Sequence, residues 1–334
     1  MNEIIFFINK VLINGTVIGS IYALGAVGVT LIFGILRFAH FAHGDLMTVG
    51  AFVALILTGL AAHYGITAPL PMGFVVMPIA MVATALLAIW LDRIFYKPLR
   101  DKGTQPVVMV MASLGVTLMM QGVVRLFAGT QARTFYFAED KEIFRVDIPF
   151  GAVKRQITIT EPQILLILFT IVTVLALHIF LSRTRRGKAM RAMSDNADLA
   201  RVSGIDTQMV VRTTWIIGGG LAAAAGTLLA LDVVVKPDLS FNLLLPIFAA
   251  AIVGGIGQPY GAIAGGFVVG FAETLSVFNW AILLRPFRDI WPKAIEFPTQ
   301  IAFVPTEYKL SVPFFILVAV LIWRPTGIFK GRSF

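Results

Sequence analysis

Within RFAHFAHGD, residues 37 to 45, the polar side chains of Arg37, His40, His43 and Asp45 stand between two long apolar runs. Two imidazoles three residues apart with a carboxylate beside them are donors that several transition metals accept. A closed site wants three or four ligands, and Asp45 is the one nearby candidate beyond the pair, so no metal is expected. Asp45 better suits the start of a helix near Leu46, where an acid can cap free N–H groups and is favoured by the helix dipole. Two further features interrupt apolar sequence. One is GGIGQPYG, 254 to 261, with Gly254, Gly255, Gly257, Pro259 and Gly261; the other is the lone acid Glu273. An ionisable group at a bilayer centre costs about 2.5–3.5 kcal/mol to insert, so Glu273 must face protein or water. It either ties two helices together or contacts a solute.

Those residues have to be held by helices that live in a bilayer. Of 334 residues, 58% are hydrophobic and 13% charged, against about 25% charged in soluble domains, and mean hydropathy is +0.87. The fold expected is an all-α polytopic integral membrane protein, a single transmembrane domain over residues 1–334. A bilayer core takes roughly 20 apolar residues of helix. The charge-free stretches 11–36, 64–91, 103–124, 162–182 and 213–231 supply that length, while 46–62 and 310–323 are shorter. Lys309 and Arg324 can snorkel from the two ends of the last. The uncharged run 239–272 would make a helix about 51 Å long at 1.5 Å per residue, too long for one crossing.

Basic residues set the orientation. Residues 183–212 carry Arg183, Arg185, Arg186, Lys188, Arg191, Arg201 and Arg212 against three aspartates, and the tail beyond Trp323 carries Arg324, Lys330 and Arg332 with no acid. Both belong on the cytoplasmic side. An even number of crossings then separates them, so 239–284 crosses twice and breaks at 254–261. About eight to ten membrane helices are expected, nine being favoured, with an external amino terminus, a cytoplasmic carboxyl terminus, a cytoplasmic loop at 92–104 and external loops at 129–161 and 285–309. Glycine and proline interrupt membrane helices only where the freed backbone is buried in protein or lines a wet cavity. Discontinuous helices near 37–46 and 254–261, one in each half of the chain, therefore mark a candidate translocation site. The plainer alternative is two tight turns.

Several chemistries are disfavoured. No G-x-x-x-x-G-K-[ST] loop occurs, and Gly255-Ile256-Gly257 lies in a membrane segment rather than after a strand. Any ATP chemistry belongs to another chain, and no cofactor is expected. With no cysteine, disulfides and thiolate sites are absent. No serine has an evident base; Ser113 and Ser276 suit helix packing, and His63 and His178 suit span ends. The opening Met1-Asn2-Glu3 lacks a basic n-region, so a removable signal peptide is not expected. The net charge of +9 follows from the positive-inside loops and calls for no nucleic-acid partner. A proton-coupled secondary transporter of a small polar solute, using Glu273, Asp45 and a histidine, is the competing class.

Residues 183–212 contain a short capped helix, about Asn196 to Ser203. Ser194 and Asp195 are candidate N-caps, Asp198 suits the first turn, and Gly204 suits a left-handed C′ position. Such a helix can dock a cytoplasmic partner. RRGKAMRAMSDNADLARVSGID (185–206), GSIYALGAVGVTLIFGILRFAHFAHGDLMTVGAF (19–52), GGIGQPYGAIAGGFVVGFAE (254–273), TEYK (306–309) and RPTGIFKG (324–331) together resemble the permeases of branched-chain amino-acid ABC importers, LivH type.

The resemblance implies a non-catalytic permease of a bacterial inner-membrane importer. It also implies a homologous second permease or second copy, two cytoplasmic ATP-binding subunits and a periplasmic substrate-binding protein. Branched-chain amino acids are the family default, with other amino acids, urea or short amides as alternatives. The segment around Arg191, Asp195, Asp198, Arg201 and Gly204 would be the ATPase-coupling element. His40, Phe41, His43, Gly44 and Asp45, the glycine and proline break, and Glu273 would lie on the pathway. Family members typically carry Asn where this chain has His40.

Overall fold

The computed structural model describes residues 2–137, 140–147, 156–286, 299–324 and 326–329. The chain begins as α1 (Asn2–Phe7), widens into a π-helical turn at Ile8–Ile13 and continues as α2 (Asn14–Leu36). After a non-helical break at 37–42 comes α3 (His43–His63). Then α4 (Met72–Leu91), a second π turn at Asp92–Tyr96 and α5 (Lys97–Asp101) make one continuous rod. The expected loop at 92–104 is thus helical as far as Asp101. Its Lys and Arg residues are good helix formers, and the rod is braced by Arg100 to Asp92 and by Lys97 to Asp101 four residues on.

Next come α6 (Pro106–Ala128) and a small antiparallel hairpin, β1 (Ile143–Asp147) with β2 (Gln156–Thr160), in which Ile143 faces Thr160. This hairpin and an isolated antiparallel bridge between Arg133 and Val235 are the β structure among the described residues, and Asn9 grips the hairpin by donating to the Gln156 carbonyl and accepting from the Thr158 N–H. The rest is helical: α7 (Glu161–Arg183), α8 (Arg185–Asp195), α9 (Ala197–Val202), α10 (Thr207–Asp232), α11 (Phe241–Gly254), α12 (Pro259–Val277), α13 (Ala281–Leu284) and α14 (Ser311–Trp323). Residues 287–298 of the proline-rich stretch 285–309 lie outside the described residues, as do Lys330 and Arg332.

Among the described residues seven helices are long and apolar enough to cross a bilayer, and two shorter apolar helices, α11 and α14, bring the apolar segments to the nine marked out by the sequence. α2 and α10 are buried on nearly every side, as a helix apolar all round must be. Lipid gives helices no hydrophobic drive to associate, so close approach of small residues does the packing. Gly266 lies against Ala23 and Gly270 against Gly19 where α12 meets α2, while Gly50 meets Ala223 and Gly226 meets Met47 where α3 crosses α10. The outward faces are the reverse. Ile79, Val82 and Leu86 of α4, Leu118 of α6, Val172 of α7 and Phe315 of α14 are exposed, a greasy belt that suits acyl chains and not water.

Candidate functional site

The first break starts with a backbone anomaly. Arg37, which closes α2, has φ 61° and is the one non-glycine residue at positive φ among those described. That conformation costs an L-residue about 1–2 kcal/mol. Its guanidinium donates to the carbonyl of Ser194, in the last turn of α8, at 2.7 Å. From there the chain dips into the protein: Phe38, His40, Ala42, His43 and Asp45 are all buried. The backbone freed by the break is met from α6, where Ser113 Oγ accepts from the Phe41 N–H at 3.2 Å.

His40 is boxed by aromatic rings. Its Nε2 lies 3.0 Å from the Tyr96 hydroxyl, its ring stands edge-on to Trp215 at 5.0 Å, and Tyr96 and Trp215 stack with an interplanar angle of 8°. The π turn delivers Tyr96 to this place, and the fork of Arg100 on Asp92, at 2.6 and 3.1 Å, pins the turn. His43 takes the space beside Gly28, where a Cβ would meet its ring at 2.5 Å. Asp45 lies beside Thr117 and Gln121 of α6. It does not cap the helix as expected: α3 begins at His43 with Ala42 as N-cap and no side-chain cap, which puts Asp45 inside the first turn. The dipole argument survives the change, since that turn still carries free N–H groups.

Around this break several buried polar atoms lack a hydrogen-bond partner among the described residues. They include His40 Nδ1, Trp215 Nε1 and, where the start of α11 meets Gly44, Ser240 Oγ, while His43 interacts with the backbone of Gly25 and Asp45 with Thr117 and Gln121. Each such group costs about 1–3 kcal/mol when left unmet, so their grouping identifies a polar seam inside an apolar bundle. No three His, Asp or Glu residues come together among the described residues. His40 and His43 meet edge to face at 6.4 Å rather than converging on a point.

The second break is made of backbone. α11 ends at Gly254, Gly255 and Gly257 take φ of 108° and 84°, and α12 starts at Pro259. Only glycine adopts these angles without strain. Gly254 and Gly261 pack backbone to backbone, as do Gly265 and the Ala250 carbonyl. The tail closes the end of α11, because the N–H groups of Ile328 and Phe329 reach the carbonyls of Val253 and Gly254 at 2.8 and 3.3 Å.

Both breaks touch the 183–212 segment. Thr184 caps α8 by accepting from the Gly187 N–H. Asn196, not Ser194 or Asp195, caps α9, its Oδ1 accepting from the N–H groups of Asp198 and Leu199; Ser194 and Asp195 are the last turn of α8. Gly204 sits at φ 82° just past α9, as its sequence context indicates. Arg191 and Asp195 rim a cavity of about 230 Å³ whose other walls are Gly34 of α2 and Gly257 to Tyr260. Asp198 and Arg201 are exposed, 4.0 Å apart.

With this geometry in hand, comparison with known proteins is direct. The sequence profile of the family described as "Branched-chain amino acid transport system / permease component" matches residues 11–321. The chain belongs to that family. It is 29% identical over 330 residues, 98% of this chain and 97% of the relative, to the high-affinity branched-chain amino acid transport system permease protein BraD of Pseudomonas aeruginosa. It is equally similar, 29% over 334 residues, to LivH of Escherichia coli K12, and 28% identical over 295 residues to a probable LivH of Methanocaldococcus jannaschii, covering 88% and 89% of the two chains. No solved structure matches.

In this permease the remaining marked residue, Glu273, is 2% exposed and doubly held. Tyr22 donates its hydroxyl to Oε2 at 2.6 Å, and Lys309 Nζ lies 3.3 Å from Oε1. Lys309 therefore reaches back to a buried acid rather than out to the interface. Sequence reasoning also missed Tyr96, Trp215 and the Arg37 contact to Ser194, and assigned Ser113 to packing alone. An aromatic or a serine inside an apolar helix carries no mark that separates a lipid-facing or core residue from a partner across a break.

Proposed function

We propose that this permease is the membrane-spanning, non-catalytic subunit of a bacterial inner-membrane ABC importer that moves branched-chain amino acids by alternating access. The observation that carries the proposal is that α8 contacts both helix breaks, through Arg37 and through the cavity against Gly257 to Tyr260. A motion imposed on α8 and α9 has a direct route to the interrupted segments. Coupling of this kind needs a two-state element that a distant ligand biases. Two cytoplasmic ATP-binding subunits would dock on the segment 183–212 and engage Arg191, Asp195, Asp198, Arg201 and Gly204. A homologous permease or second copy would complete the membrane unit, and a periplasmic binding protein would deliver the solute.

The pathway would run along His40, Phe41, His43, Gly44 and Asp45 and past Gly254, Gly255, Gly257, Pro259 and Gly261. The unpartnered polar atoms of the first break supply hydrogen bonds to a passing solute. The distribution of basic residues supports a cytoplasmic position for α8, α9 and the tail and an external one for the hairpin and the amino terminus.

Reconstitution into liposomes tests the proposal. Uptake of labelled leucine is expected only with the ATP-binding subunits, the binding protein and ATP all present. Uptake driven by a proton gradient with this chain alone would replace the importer by a secondary transporter.

A further inference from the structure

At the end of the bundle opposite α8, a cavity of about 380 Å³ opens between the first helix, α12 and the residues before α14. Its size falls in the range of small-molecule pockets, roughly 300–1,000 Å³. Glu273, Lys309, Lys10 and Asn14 supply its polar wall, and Ile18, Val277 and Phe278 its apolar one. Glu273 is almost wholly buried, yet it is among the residues that line this cavity. A buried acid in a membrane helix is expensive and marks function unless fully absorbed by structure. Here it is not fully absorbed. Each carboxylate oxygen accepts more than one hydrogen bond, and among the described residues only Tyr22 and Lys309 hold this one.

Lys309 shows what the acid accepts. Its Nζ is a primary ammonium at 3.3 Å, carried on a flexible stem whose side chain is 44% exposed. A second primary ammonium can share the acid with it or displace it. Lys10 makes no ion pair among the described residues and projects from the π turn Ile8–Ile13, a helix form common at functional sites. One acid, two ammonium groups and an aliphatic wall match an α-ammonium, an α-carboxylate and an alkyl side chain.

We propose that this cavity is an external loading site for an aliphatic α-amino acid, with Glu273 holding the ammonium, Lys10 and Lys309 the carboxylate, and Val277 and Phe278 the side chain. The identity of the ligand rests on the branched-chain importer reading, and the lining residues stand independently of it. Their placement gives the binding protein a membrane-side acceptor that reads the zwitterion before the solute reaches the breaks.

The test is equilibrium dialysis of labelled L-leucine against the purified transporter complex without ATP or binding protein. Unlabelled 4-methylpentanoate, which lacks the ammonium, and 3-methylbutylamine, which lacks the carboxylate, serve as competitors. Wild type is expected to prefer leucine to either analogue by at least about tenfold, the scale of one hydrogen bond to a charged group. Glu273→Gln should weaken leucine by about tenfold and bring it level with 4-methylpentanoate. Val277→Trp, which fills the apolar end, should abolish binding in a complex that still elutes intact.

Equal weakening of every ligand by Glu273→Gln assigns the acid a purely structural role and overturns the proposal. So does an absence of leucine binding by wild type, or binding that Val277→Trp leaves unchanged. ATP-driven uptake by the same preparation, with its binding protein, separates the two levels. Leucine uptake without the site removes the site alone, and no uptake of any branched-chain amino acid removes the importer reading.

Discussion

The two breaks in this membrane protein solve one problem with opposite means. At 37–42 the interrupted backbone is served by side chains: Ser113 meets Phe41, and Tyr96 with Trp215 encloses His40. At 255–258 almost no side chain takes part. Glycines bring Gly254 against Gly261 and Gly265 against Ala250, and the tail meets the carbonyls left at the end of α11. A break satisfied by side chains can be rearranged by rotamer changes and leaves polar atoms to interact with a solute. A break satisfied by backbone contact is rigid and intolerant of volume. The first suits a moving part and the second a fixed hinge post.

The largest effect is therefore expected at the second break. In Gly261→Val the new Cβ runs into the Gly254 carbonyl, and no flexible side chain is there to yield. Destabilisation should reach or exceed the upper end of the roughly 1–3 kcal/mol typical of overpacking, seen as a lower melting temperature and loss of complex assembly. Wild-type melting would show that the two helices stand further apart, and the contrast between the breaks would fail. Tyr96→Phe comes next. It strips the hydroxyl from His40 and leaves both ring nitrogens unmet in the interior, at about 1–3 kcal/mol, and reduced uptake should accompany it. Unchanged melting and uptake would mean that the aromatic box is only packing.

His40→Asn should be milder, about 1 kcal/mol, because Asn keeps hydrogen-bonding capacity while the ring's aromatic contacts, worth about 0.5–1.5 kcal/mol, are lost. Uptake should persist and be indifferent to a strong chelator; a chelator-sensitive wild type, silenced by this change, would restore a metal at the histidines. The smallest shift in stability belongs to Arg37→Gly, which removes a strained backbone and a hydrogen bond together. ATP hydrolysis and uptake should nonetheless uncouple in the assembled complex. Retained coupling would exclude Arg37 as the link between α8 and the first break.

Much of this arrangement is legible in the sequence. The uncharged run 239–272 is too long for one crossing, so glycines at its centre had to be a break, and α11 and α12 part there. Four polar residues between apolar runs signal the other break for the same reason, since membrane segments admit them only inside protein. Gly204 is readable because a glycine past a short helix has a specific backbone use. What failed has a common cause in three dimensions. Ser194, Asp195 and Asn196 are all good caps in a row, and only the packing of α8 selects Asn196. Glu273 and Lys309 are far apart in the chain, so their pairing needs the packing of the folded bundle. The π turn that aims Tyr96 leaves no trace in hydrophobic periodicity.

The left-handed turn at Arg37 has a consequence for populations. Right-handed backbone would be preferred there by about 1–2 kcal/mol, and the bond from its guanidinium to the Ser194 carbonyl, at 2.7 Å, returns a comparable amount, about 0.5–1.5 kcal/mol. Terms this close to balance leave both backbone states within reach of thermal energy. A displacement of α8 that merely opens the Ser194 contact then changes their ratio by several-fold. No large force is required at the membrane, because the chain already rests near the crossing point of two conformations.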